Sequence, residues 1–151
     1  MDSLRVAIGS DHAGFDVKES IEEQLAGLGH TVEDLGTHTP ASVDYPDYGR
    51  KVAEAVASGN AELGVLVCGS GIGMSMVANK VPGVRAALAW SEEIARLARE
   101  HNDANVLVVG ARVTPPDTVA AIVDAFLATD FSGGRHAERV AKIMAIDARE
   151  Q

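Results

Sequence analysis

Residues 63 to 80, LGVLVCGSGIGMSMVANK, place the chain's single cysteine where an apolar run meets alternating glycines, Gly69, Gly71 and Gly73. Glycines at that spacing let the backbone turn sharply and point several N–H groups inward, a nest for oxygen anions. A helix beginning near Ile72 adds its positive end. The familiar phosphate loops each fail on a named residue. A Walker loop ends in Gly-Lys-Ser/Thr, which Met74 and Ser75 do not supply. The dinucleotide pattern requires glycine three residues after Gly71 or Gly73, where Met74 and Met76 stand. A cysteine phosphatase loop has arginine six after its cysteine, and that position is again Met74. Two readings remain for the loop, an anion nest or a tight βα turn. Cys68 has two as well. Nearby N–H dipoles favour a thiolate there, whereas lone cysteines are among the most buried and inert residues.

Other polar residues cluster in short stretches. Asp11 and His12 follow the first apolar run in SDHAG, either to bind a ligand or simply to cap the next helix. His101 and Asn102 end a helical pattern in REHNDANV, where a histidine also suits the helix C-terminal dipole. Asp44 and Tyr45 lie in a proline-containing loop long enough to reach over a site. Arg135 and Arg139 are four apart, so on a helix they share a face and can hold one phosphate together, unless both simply face solvent. His30 and His38 read as surface residues.

The elements that must position these groups alternate strictly. Strands are expected at 4–10, 31–36, 63–69, 84–90 and 105–111, the first, third and fifth as nearly continuous apolar runs. Helices are expected at about 14–28, 46–58, 72–80, 91–102, 115–129 and 134–149. On the first helix Phe15, Val17, Ile21, Leu25 and Leu28 form the apolar face, and on the last Ile143, Met144 and Ile146 form one that should dock. Such alternation predicts one α/β domain over 1–151, an open parallel sheet with helices on both sides. Ligands in such sheets bind beyond the strand carboxyl ends at a switch in strand order, which selects SDHAG, CGSGIG and GARV.

Composition sets outer limits. The 151 residues are 46% hydrophobic and 23% charged, an ordinary globular balance. A net charge of -9 argues against a general nucleic-acid binder. One cysteine makes no internal disulfide, the N-terminus lacks the features of a signal peptide, and no apolar run approaches the roughly 20 residues of a membrane span. These features predict a soluble cytoplasmic protein.

GSDHAGF, DYPDYG, CGSGIGMSMVANK, HNDANVLVVGAR and GGRH occur in this order. With them the chain resembles the type B ribose-5-phosphate isomerases, within the wider ribose/galactose phosphate isomerase family, from residue 5 to about 146. The resemblance implies a three-layer, Rossmann-like α/β/α domain with strand order 2-1-3-5-4. It also implies aldose–ketose isomerisation of a sugar phosphate without metal or cofactor. By resemblance, Cys68 is the base that removes the C2 proton, as in the cysteine branch of the family, where other relatives use a glutamate elsewhere. The backbone of Gly69, Ser70, Gly71, Ile72 and Gly73 would hold the enediolate. Ser70, threonine in some relatives, and Asp11 join the catalytic set. His101 would open the furanose ring with Asn102 beside it. His12, Tyr45, Arg112, Arg135 and Arg139 would contact substrate. A homodimer, or a dimer of dimers, is implied, each site completed by the partner's terminal helix.

The expected reaction is interconversion of ribose 5-phosphate and ribulose 5-phosphate. Isomerisation of allose 6-phosphate, galactose 6-phosphate or a tetrose phosphate is the nearest alternative. A nucleotide-binding module without turnover and a cysteine hydrolase are the readings from other classes. Cys68 beside the nest, together with His101, is an arrangement that a pure binder does not require.

Overall fold

The structure, a computed structural model, describes residues 2–149. Five strands, β1 (Arg5–Ser10), β2 (Thr31–Asp34), β3 (Leu63–Cys68), β4 (Ala86–Leu88) and β5 (Val106–Gly110), form one parallel sheet in the order β2-β1-β3-β5-β4. Between and after them run α1 (Phe15–Gly27), α2 (Tyr45–Ala57), α3 (Ile72–Ala78), α4 (Glu92–Asn102), α5 (Pro116–Ala128) and α6 (Arg135–Arg149). The expected α/β architecture and strand order both hold.

Strand parity builds the two core layers. Val6, Ile8, Val65, Val67, Leu107 and Val109 point to one face and pack with Ile21, Leu25, Ile122 and Phe126 of α1 and α5. The intervening Ala7, Leu66, Cys68, Val106 and Val108 point to the other, against Val52 of α2 and Met74 of α3. β3 and β5 are buried along their whole length, which explains their unbroken apolar runs. A fully buried leucine or valine contributes on the order of 2 kcal/mol by area, so these central strands anchor the fold. Strand order reverses between β1 and β3, opening the crevice at their carboxyl ends where Asp11 and Cys68 stand.

The short β4 is the outermost strand. At Ala86 its free side is capped by one side chain: the Asn79 carboxamide donates to the Ala86 carbonyl at 2.9 Å and accepts from the Ala86 N–H at 2.8 Å. On the β5 side, ahead of the strand, the Asn105 side chain accepts from Arg85 N at 2.7 Å and donates to the Gly83 carbonyl. β4 is three residues long, shorter than the expected 84–90, and the Asn105 amide takes the Arg85 N–H just ahead of it.

Two expectations change. Leu28 is 46% exposed, and the core-facing row of α1 is Lys18, Ile21 and Leu25. His30 is buried, its Nδ1 accepting from Leu4 N at 3.1 Å to fasten the start of β1. α6 lies on α4 of its own chain, with Val140 buried and Asp147 accepting from Gly83 N, while Ile143 and Ile146 stay exposed.

Lys18 has no solvent exposure. Its ammonium bonds Asp34, reaches Glu19 at 2.9 Å and stands 4.0 Å from Glu22. Burial alone would lower its pKa, but hydrogen bonds to Asp34 and Glu19 outweigh it and hold the ammonium above its ordinary value. For Asp34, burial favours protonation, but the bonds from Lys18 and Gly36 N–H win and hold its carboxyl below the usual range. Burial first, and then the neighbouring Asp34, push Glu22 up to about 7. Folded Glu22 therefore keeps a proton that the unfolded chain releases near 4.5, and stability falls as pH rises from there to about 7. Glu22→Gln removes that loss. Its Tm should exceed wild type by about 3 °C at pH 8 and match it at pH 4.5, as followed by circular dichroism. Equal melting at both pH values would contradict the assignment.

Candidate active site

The carboxyl edge of the sheet gathers the first group. Asp11 follows β1 and is 8% exposed, its Oδ1 accepting from Gly14 N at 3.0 Å as the chain turns into α1. It therefore shapes the turn rather than capping α1, whose N-cap is Gly14. His12 Nδ1 accepts from Val43 N at 3.2 Å, so the neutral ring carries its proton on Nε2.

Cys68 ends β3 opposite Gly110 and is 6% exposed. Its carbonyl accepts from Ala111 N at 2.8 Å, and the Gly69 carbonyl accepts from Arg112 N at 2.9 Å, which ties GARV to the loop. The Arg112 side chain runs beside Gly69. Gly71 has φ 83°, a left-handed conformation that side chains disfavour, and it turns the chain into α3. A Cβ at Gly73 would collide with the Tyr45 ring, so glycine lets the start of α2 close over α3. Ser70 Oγ accepts from Ile72 N at 3.2 Å. Among the described residues, the N–H groups of Ser70, Gly71 and Gly73 have no acceptor. Unpaired, adjacent donors beside a thiol can hold a developing oxyanion.

The second group lies on the opposite edge. In a parallel sheet each connecting helix runs back, so α4 delivers His101 and Asn102 to the amino ends of β4 and β5. Ser91 starts α4 by accepting from Ile94 N at 3.2 Å, and Glu92 and Glu93 occupy the first turn. Asp103, at φ 49°, stops it, held by Arg99 and Arg85. His101 stacks on His136 of α6, ring centroids 4.3 Å apart and planes 11° apart. Arg135 and Arg139 flank His136 and are exposed. Partial desolvation first, then the charges of His101, Arg135 and Arg139, hold His136 below its ordinary pKa. Asn102 lines a cavity of about 410 Å³ with Arg85, Ile143 and Met144.

Of the residues singled out, Asp11, His12, Tyr45, Cys68, Gly69, Ser70, Gly71, Ile72, Gly73 and Arg112 share the carboxyl edge, whereas His101, Asn102, Arg135 and Arg139 share the amino edge. One chain does not bring the two sets together. From Val106 to Gly110 the strand alone spans about 13 Å at ~3.3 Å per residue. His136 was not among the expected residues, although GGRH contains it, because only the fold stacks it on His101. Glu19, Glu22 and Asp34 are spaced like metal ligands, but the Lys18 ammonium already fills that cluster. A groove of about 550 Å³ between α1 and α5 is lined by Val17, Ile21, Pro116 and Val119, with Asp16, Ser20, Glu23 and Gln24 as its polar residues, away from both groups.

Residues 6–143 match the family described as Ribose/Galactose Isomerase. Ribose-5-phosphate isomerase B of Escherichia coli is 44% identical over 145 residues, covering 96% of this chain and 97% of that one. The solved structure of Clostridium thermocellum ribose-5-phosphate isomerase B superposes with a TM-score of 0.96 at 50% identity, covering 98% of this chain and 100% of that chain. Ribose-5-phosphate isomerase B of Mycoplasma genitalium, solved with bound ribulose-5-phosphate, superposes with a TM-score of 0.93 at 43% identity, over 98% and 99% of the two chains. With a match across nearly its whole length, this chain belongs to the ribose/galactose isomerase family.

Proposed function

We propose that this chain interconverts ribose 5-phosphate and ribulose 5-phosphate at a site shared between two copies. The carrying observation is a thiol, Cys68, beside unpaired N–H groups at the strand edge. The substrate class is that of the relatives named above.

In this reading His101 of one copy protonates the ring oxygen as its bond to C1 breaks, and the anomeric hydroxyl releases its proton to solvent to leave the C1 aldehyde. Cys68 of the other copy then takes the C2 proton onto Sγ. The released electron pair forms the C1=C2 bond, and O1 takes up negative charge facing the N–H groups of Ser70, Gly71 and Gly73. Return of the proton to C1 and transfer of the O2 proton to O1 complete the ketose. Asp11 and the Ser70 hydroxyl, on the same carboxyl edge, complete the catalytic set in this reading. His12 and Arg112 from one copy, with Arg135 and Arg139 from the other, hold the phosphate, remote from the reacting carbons.

Two copies are required because His101 and Cys68 occupy opposite edges of one sheet. A two-fold axis that sets each carboxyl edge against the partner's amino edge makes two equal sites. Exposed apolar side chains support that contact: Ile72, Met76, Trp90 and Val113 toward one edge, Ile143 and Ile146 toward the other.

Cys68→Ala should lose exchange of the substrate C2 proton with deuterated water while keeping phosphate binding, read by NMR and calorimetry. Near-normal exchange would exclude Cys68 as the base. Refolding Cys68→Ala together with Arg139→Ala should restore roughly a quarter of wild-type sites, since random pairing gives each hybrid one intact site. Cys68→Ala with His101→Ala should do the same, whereas His101→Ala with Arg139→Ala should restore nothing. No recovery in the first two mixtures, with subunit exchange verified, would sink the shared site. Initial rates over pentose, hexose and tetrose phosphates should be highest with ribose 5-phosphate; a hexose or tetrose optimum would reassign the substrate.

A further inference from the structure

We propose that the buried Lys18–Asp34 ion pair is a positioning device that clasps the Asp11–His12 loop in its substrate-binding geometry. This rests on the reading of Asp11 and His12 as substrate-binding residues. Lys18 occupies a core-facing place on α1 that methionine or leucine would fill without desolvating a charge. An ion pair kept in such a place is best accounted for by what it fastens.

Both ends of the loop lead to this pair. On the α1 side, Lys18 N donates to the Gly14 carbonyl at 2.8 Å, and Gly14 N donates to Asp11 Oδ1 at 3.0 Å. On the β2 side, Asp34 Oδ1 accepts from Gly36 N at 2.9 Å. The Gly36 carbonyl then accepts from Ser10 N at 2.8 Å, and Thr37 N donates to the Ser10 carbonyl at 2.9 Å. Residues 10–14 are thus gripped at both ends, and the contact between Lys18 Nζ and Asp34 Oδ2 closes the clasp. The segment leaving this turn reaches Val43, whose N–H fixes His12 Nδ1. Glu19 and Glu22 are more exposed than Asp34, and His38 stands 3.9 Å from it on the solvent side. The Phe15 ring, 5.4 Å from Nζ, flanks the ammonium. Lys18 acts through Asp11 and His12.

The test compares Lys18→Met, Asp34→Asn, Asp11→Ala and Leu25→Ala in the full chain. Leu25 is buried on the same helix and outside the clasp, so its variant loses stability alone. Amide hydrogen exchange at Ser10, Gly14 and Gly36 is read by NMR, and KM and kcat for ribose 5-phosphate are measured well below each Tm. In Lys18→Met the three amides should exchange about tenfold faster and KM should rise about tenfold, with kcat within about threefold of wild type. Asp34→Asn, nearly isosteric, should move both in the same direction and decides the matter if Lys18→Met does not fold. Leu25→Ala should leave KM and the relative protection of these amides unchanged. Unaltered exchange in the pair variants overturns the clasp. Faster exchange with KM within twofold of wild type overturns its link to binding, and an equally unaltered KM in Asp11→Ala assigns that failure to the reading of Asp11.

Discussion

Everything about this site follows from chain direction in an all-parallel sheet. Each strand must be followed by a helix that returns, so strand ends and helix ends are delivered to opposite edges. Cys68 and its glycine loop belong to strand ends, and His101 belongs to a helix end. No side chain bridges a gap the length of a strand. Chemistry that used both sets would recruit a second molecule, and in the proposed reading each domain contributes half of two different sites.

The loop itself shows how little backbone is needed to prepare for charge. β3 and β5 are buried along their length, so the end of Cys68 is held by its partner strand and does not drift. One left-handed residue, Gly71, then reverses the chain, and the packing of Tyr45 on Gly73 closes the loop from outside. Donors fixed by such packing need little reorganisation when negative charge appears before them. Rigidity comes from the core layers, and the polar groups inherit it.

Much of this was legible in the residues. Periodicity located all five strands and six helices, with most ends within a residue or two, because apolar runs and amphipathic faces reflect burial directly. Strand order was accessible only through resemblance, since local patterns do not record which strands are neighbours. Lys18 and His30 escaped detection for one physical reason. A titratable side chain reads as solvent-facing until its partners, Asp34 and the Leu4 N–H, are seen beside it. Leu28 failed in the opposite sense, lying past the last core contact of α1. The stacking of His136 on His101 joins two helices that no spacing relates.

The Asn79 carboxamide, which answers both the donor and the acceptor of Ala86, acts as a strand one residue long. It satisfies the first of the backbone pairs that an incoming extended peptide would use on that side of β4. Sheet propagation from this margin therefore begins with the loss of two existing hydrogen bonds, a barrier to fibrillar stacking and strand exchange. At Ala86 a second copy of the chain therefore meets a ladder position that is already filled.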